Sequence, residues 1–226
     1  MDMRFSRYFF LLFLLGFLAC KTDKKQRKNN VVPEKSILEK IAAAHGYDHW
    51  NRVDEIRFTF NVDKDSTHFE RSWAWKPKSN QVTSITGNDT LMYHRKQMDS
   101  VAHKINGGFI NDRYWLLAPF NLLWDSNNFE HQHSLDGIAP ISGQPMQKLT
   151  IVYGSDGGYT PGDAYDFYFG DDYLIREWVF RKGNQAEPSM TTTWENYQEV
   201  NGLKLAMDHK KEGEVFNLYF SGVTVK

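Results

Sequence analysis

Ile56-Arg57-Phe58-Thr59-Phe60-Asn61-Val62 decides the fold class of this chain. Apolar and polar residues alternate along it with a period of two, the signature of a strand with one face on a core and the other in water. On its C-terminal side, Asp63-Lys64-Asp65-Ser66, Lys76-Pro77-Lys78-Ser79-Asn80 and Gly87-Asn88-Asp89 are turn sequences. They predict strands at 67–76, 81–86 and 90–95, spaced as in an antiparallel meander. On its N-terminal side the spacing predicts one helix. Pro33 stands at its start and Glu34 in its first turn, Ile37, Leu38 and Ile41 share a face, and Gly46 ends it. Trp50 and Val53 are expected to pack just beyond.

The middle of the chain changes character. Asn111-Asp112 introduces an apolar run from Arg113 to Ala118, Pro119 interrupts it, and Phe120 to Trp124 follow. This reads as two short helical turns broken at the proline. Strands resume at 147–154, 164–170, 173–181, 190–198, 203–209 and 214–224, and Asn201-Gly202 is the clearest hairpin turn, since both residues tolerate the positive φ of a type I′ turn. The expected class is mainly β with few helices (α+β). Aromatic residues crowd single strand faces: Trp73 with Trp75, Tyr165 with Phe167 and Phe169, Trp178 with Phe180. A curved sheet carrying such faces either closes around a helix as a solid core or encloses a cavity for an apolar guest.

The first twenty residues speak for the compartment. Arg4 and Arg7 precede an apolar run from Tyr8 to Ala19, which stops at Cys20, the only cysteine. The run is too short for a membrane span of about 20 residues and has the form of a secretory signal. Phe17-Leu18-Ala19-Cys20 resembles the lipobox of bacterial lipoproteins. The resemblance implies a signal peptide over 1–19, acylation of Cys20, and anchorage to a membrane of the cell envelope, on the periplasmic side or at the outer membrane. An uncleaved anchor and an ordinary signal with an incidental cysteine are the alternatives. With Cys20 acylated, no thiol is left for disulfides, thiolate metal sites or nucleophilic catalysis. Residues 21–28 hold five bases and one acid, whereas residues 29–226 hold 20 bases and 26 acids. The segment 20–33 therefore reads as a basic tether, close to anionic headgroups or simply a flexible spacer. The mildly acidic remainder lacks the clustered bases of a nucleic-acid binder.

The order of elements resembles the LolA/LolB-like fold of outer-membrane lipoprotein carriers: signal with lipobox, helix ending in His45-Gly46, long meander, central helical insert. The stretch from Ala164 to Trp178, Trp194-Glu195-Asn196-Tyr197 and the hairpin from Val200 to Leu205 are similar to the closing hairpins of that fold. A group of uncharacterised bacterial lipoproteins with this fold is the nearer likeness. The resemblance implies one domain over 34–226, an antiparallel half-barrel wrapped over the N-terminal helix and a short central insert. In the carriers its apolar cavity holds acyl chains and no residue is catalytic. The side chains expected to line such a cavity are Ile56, Phe58, Phe60, Trp73, Trp75, Phe167, Phe169 and Trp178, with Trp115, Leu116 and Phe120 as a lid hinged at Pro119. The expected function is non-catalytic binding of a lipid, acyl chain or other apolar ligand. The alternative is a structural or protein-interaction lipoprotein with a filled core and no small ligand, its protein partner unspecified.

Other constellations carry less. His45 and His49 have helical i, i+4 spacing with Asp48 beside them, but Gly46 falls between. His131 and His133 alternate as on a strand, flanked by Glu130 and Asp136, within residues that read as loop. The glycine-rich acidic loop from Asp156 to Asp163 fits a wide turn more simply than a calcium site, and Asp171-Asp172 sits in a turn. Gly-x-Ser-x-Gly, phosphate-loop and His-Glu-x-x-His patterns are missing, Tyr153 to Gly158 lacking the hydrolase spacing. No metal, no cofactor and no enzymatic activity are expected. Cells fed labelled palmitate should incorporate it into the wild-type chain and not into Cys20→Ala; label retained by the variant would refute the acylation site.

Overall fold

The computed structural model describes residues 34–226; the expected signal peptide, Cys20 and the expected tether lie outside the described residues. The first helix, α1 (Ile37–Ala44), begins at Ser36 rather than at the proline, because Ser36 and Glu39 form a reciprocal capping box. The Ser36 hydroxyl accepts from the Glu39 amide at 3.3 Å, while the Glu39 carboxylate accepts from the Ser36 amide at 2.7 Å. Leu38, Ile41 and Ala42 form its buried face. Gly46, at φ +89°, stops it as expected, and a 3-10 turn, Tyr47–Arg52, follows.

Four strands come next: β1 (Ile56–Lys64), β2 (Thr67–Lys76), β3 (Gln81–Thr86) and β4 (Asp89–His94). The long helix α2 (Ser100–Trp124) then leads to β5 (Phe129–Ile138), β6 (Pro145–Tyr153), β7 (Ala164–Phe169), β8 (Ile175–Arg181) and β9 (Met190–Thr193). The chain ends in β10 (Glu195–Val200), β11 (Leu203–Lys210) and β12 (Phe216–Val225). Strand pairing yields a seven-stranded sheet, β10-β11-β12-β1-β2-β3-β4, and a five-stranded sheet, β5-β6-β7-β8-β9. Pairing of β12 with β1 ties the last strand to the first. The architecture is mainly β with few helices, an open antiparallel half-barrel. No helix among the described residues is long and apolar enough to cross a membrane.

Three expectations change. The central insert is longer than two short turns: it spans 25 residues, helical on both sides of a break near the proline, where a break was expected. Asp99 caps it by accepting from the Ala102 amide at 2.8 Å. Its break falls at Leu117 (φ −124°, ψ 21°), just before Pro119, whose ring crowds the preceding turn and whose nitrogen has no proton for the Trp115 carbonyl. The stretch around His131 and His133 is a strand, β5, rather than a loop. The segment 190–198 is two strands in two sheets, because the chain changes sheet at Trp194. There the Trp194 amide donates to the Arg176 carbonyl at 2.6 Å, and the Lys210 amide donates to Thr193 Oγ1 at 3.0 Å. This seam joins the sheets on one side, while β4 and β5 remain separate edges.

Helix α2 fills the concave side and touches both sheets. Phe109 meets Trp73 and Trp75 edge-on at 5.4 and 5.6 Å, and Trp115 meets Trp178 at 4.5 Å. Asp112 of α2, with a side chain 0% exposed, is gripped by Arg71 of β2. Arg71 Nε donates to one carboxylate oxygen and Nη2 to the other at 2.6 Å, and Trp73 Nε1 adds a third bond at 2.8 Å. Gly108 leaves room for the guanidinium, since a Cβ there would stand 2.7 Å from it.

Two glycines singled out by the sequence meet each other. A Cβ on Gly46 would lie 2.0 Å from the Gly202 carbonyl oxygen, and Gly202, at φ +83°, forms the β10–β11 turn with Asn201 at φ +49°. The Lys204 amide donates to the His45 carbonyl at 3.0 Å, so the end of α1 is sewn to this hairpin. His45 is buried, its Nδ1 facing the Ile41 carbonyl at 2.8 Å and its Nε2 the Tyr197 hydroxyl at 3.1 Å. Burial depresses its pKa to about 4, and burial likewise depresses that of His209 to about 3.

Gly46→Ala is expected to cost about 2–4 kcal/mol through backbone strain and overpacking. Gly87→Ala, at φ +56° with open space around it, should cost no more than about 1–2 kcal/mol; urea unfolding of both variants tests the difference. The unfolded chain binds protons at His45 and His209 below about pH 6.5, where the native state does not. Stability should therefore fall as pH drops from 7 to 5, by up to about 4 kcal/mol from the two together. Urea midpoints across this range should flatten in His45→Gln and His209→Phe; an equal slope in the variants would contradict the assignment.

Candidate functional site

Val101, Lys104, Ile105, Gly108, Asn111, Asp112 and Trp115 recur at helical spacing and occupy one face of α2. Two clefts open on this face. A groove of about 640 Å³ lies toward the start of the helix, bounded by Lys104, Ile105 and Gly108 and by Arg71, Trp73 and Leu91 of the sheet. Its lining mixes charge with apolar surface. The second cleft, about 330 Å³, lies toward Trp115 and sits between the two sheets. Asn111 and Trp115 come from α2, Tyr165 from β7, Trp178 and Phe180 from β8, Met190 from β9, and Phe216 and Leu218 from β12. Gly108 and Asp112, held by Arg71, stand on the helix between the two clefts.

No residue bounding the second cleft is ionised. Thr160 and Tyr165 hydroxyls bond each other at 2.8 Å, and burial pushes the Tyr159 and Tyr165 hydroxyls well above the usual tyrosine pKa. A neutral aromatic wall of this kind attracts apolar surface and repels ions. Tyr159 joins the lining of the cleft from the 154–163 loop. Its ring stacks on Tyr114 with centroids 3.7 Å apart and planes 4° from parallel, and its hydroxyl reaches Asn111 Oδ1 at 3.4 Å. Gly157 and Gly158, both at φ +75°, press the loop against Asn128 and Tyr153.

All eleven side chains expected to line a cavity are buried, from 0% exposure at Ile56 to 7% at Trp115. Trp115 and Trp178 wall the aromatic cleft and Trp73 borders the first groove. Ile56, Phe58, Phe60, Trp75, Leu116, Phe120, Phe167 and Phe169 border neither and pack against other core side chains. Phe58, for example, meets Phe220 at 5.8 Å, and Phe120 meets Trp50 at 5.5 Å. Trp115, Leu116 and Phe120 are core on both sides of the kink rather than a lid. Met190, Phe216 and Tyr159 escaped the sequence reading. The signal for Tyr159 was present, a lone ring inside a glycine-rich loop.

The histidine constellations disperse. His45 points into the core while His49 packs on the Gly202 turn. His131 and His133 are exposed, the latter bonded to Gln147 at 3.0 Å. Asp163 of the acidic loop accepts from the Gly183 amide at 2.7 Å. Among the described residues, no three His, Cys, Asp or Glu side chains converge as metal ligands.

No protein-family model matches the sequence, and no curated protein matches it significantly. Solved structures do match. A LolA superfamily protein from Nitrosomonas europaea aligns at a TM-score of 0.50 and 12% identity, covering 84% of this chain and 92% of the other. A DUF1329 family protein from Desulfovibrio piger aligns at 0.48 and 10% identity, covering 84% and 92%. Identity this low speaks for shape alone. Taken with the strand order and the helix held in the concave side, the likeness to the Nitrosomonas protein identifies the fold as LolA-like.

Proposed function

We propose that this protein is a cell-envelope lipoprotein, leashed to a membrane by acyl chains on Cys20, whose folded part binds one apolar chain without catalysis. The observation that carries this reading is the uncharged aromatic cleft between the sheets. Its volume of about 330 Å³ lies at the small end of ligand sites, about 300–1,000 Å³, and fits part of a single acyl chain. Burying four to six methylenes there would contribute about 3–5 kcal/mol before ordering costs. The LolA-like fold supports the reading as analogy. The first groove lies on the same helix face and is lined by Lys104 and Asp89, so one cation and one carboxylate stand at its side, the charge of Arg71 being taken up by Asp112.

A structural or protein-interaction role is the second reading. Its support is the core itself, since eight of the eleven expected cavity residues border neither cleft. Native mass spectrometry of delipidated protein, re-exposed to phospholipids, fatty acids and acylated peptides, separates the two. A bound species that disappears in Met190→Arg, with thermal stability retained, is the result expected for the acyl-binding protein. No adduct with any lipid class would leave the interaction role in its place.

A further inference from the structure

Behind the wall of the aromatic cleft, four buried side chains hold polar atoms without hydrogen-bond partners. Trp178 and Thr192 face each other across the β8–β9 ladder, so both project to the same side of the sheet. Trp194 lies two residues beyond Thr192 and turns to that side as well. His209 of β11 meets the Trp194 ring at 4.6 Å and the Trp115 ring at 5.3 Å. All four are at most 2% exposed. Trp178 Nε1, Trp194 Nε1, Thr192 Oγ1 and both ring nitrogens of His209 make no well-formed hydrogen bond, the Thr193 backbone being the polar group near His209.

Each unmade buried hydrogen bond costs about 1–3 kcal/mol, and Phe or Val at these positions would avoid the cost. Four such groups therefore form a polar patch set into apolar surroundings; Trp178 alone of the four lines the cleft, and a guest meets the donors behind it by displacing that ring. Its chemistry is rich in donors: an indole only donates, and a hydroxyl and a neutral imidazole donate once each. It contains no cation, because burial holds His209 neutral. A carboxylate placed there would be a buried charge without a counterion, whereas a carbonyl oxygen would be satisfied.

We propose that this patch seats the ester carbonyl of an O-acyl lipid, with the acyl chain lying along Trp115, Phe180 and Met190. This rests on the acyl-binding reading above and names the polar end of the guest. The test is titration of the ¹⁵N-labelled full-length chain at pH 7.5 with methyl decanoate, decanoate and undecane, following indole N–H resonances. Methyl decanoate should bind about tenfold more tightly than the other two, the equivalent of one or two net hydrogen bonds. Two indole signals, assigned with Trp178→Phe and Trp194→Phe, should move downfield with the ester alone. Thr192→Val, which preserves shape, should reduce the ester's advantage several-fold and leave undecane unchanged. Equal binding of ester and undecane would overturn the seat while sparing the acyl cleft. Tightest binding by decanoate would overturn the preference for a neutral head, and no binding by any probe would overturn both.

Discussion

The grip of Arg71 on Asp112 is the constraint on which the interior depends. A carboxylate with no exposed surface is tolerable only with its charge and lone pairs answered, and Arg71 and Trp73 supply three bonds from a single strand. Removing one partner of such a pair commonly costs about 3–5 kcal/mol, because the other is left charged and buried. The bond fixes the height of α2 over β2, and with it which residues of the helix face each sheet. Gly108 is the steric condition for it. Glycine lowers helix propensity, so this turn of α2 is held by tertiary contact more than by its own preference.

From that fixed helix follow both the filled core and the unfilled cleft. Phe109, Phe120 and Trp124 meet Trp50 and Trp75 on one side, edge to face or tilted, in a continuous layer of rings that borders neither cleft. On the other side, between the five-stranded sheet and β12, Trp115 and Trp178 leave space beside Phe180 and Met190. An open half-barrel makes this possible, since among the described residues its sheets are sewn together at the seam near Trp194 while β4 and β5 stay apart. The same seam gathers unpaired donors into apolar surroundings, an arrangement that stability alone does not favour.

Much of the frame was legible because its causes are local. The period-two run from Ile56 to Val62 became β1, and the turn sequences set β2 to β4 within a residue or so. Asn201-Gly202 formed the expected two-residue turn, both residues at positive φ. The first half of α2 was not legible. Gly107, Gly108 and Asn106 weaken local helix preference, and the reason for Gly108 lies in a side chain far away in sequence. The division of 190–198 was equally hidden: the inward phase of Thr192 and Trp194 shifts by one residue to Tyr197, with Asn196 at φ +53°, and no glycine or proline in the stretch marks the change of sheet. Aromatic faces on β2, β7 and β8 were correctly read as pointing inward, but direction alone does not say whether a ring meets another ring or a cavity.

By itself, the sequence determined the mainly β class, the antiparallel meanders, the helix that stops at Gly46, and which side chains leave water. These follow from backbone preference and hydrophobic period, which act over a few residues. Only the tertiary structure decided that α2 runs for 25 residues through the half-barrel, that Gly46 lies against the Gly202 carbonyl and Gly202 against His49, and that eight expected cavity residues border neither cleft while Trp115 and Trp178 wall one. Those outcomes depend on distances between segments that the chain brings together from far apart. They are set by volume and by buried hydrogen bonds that no single stretch of residues contains.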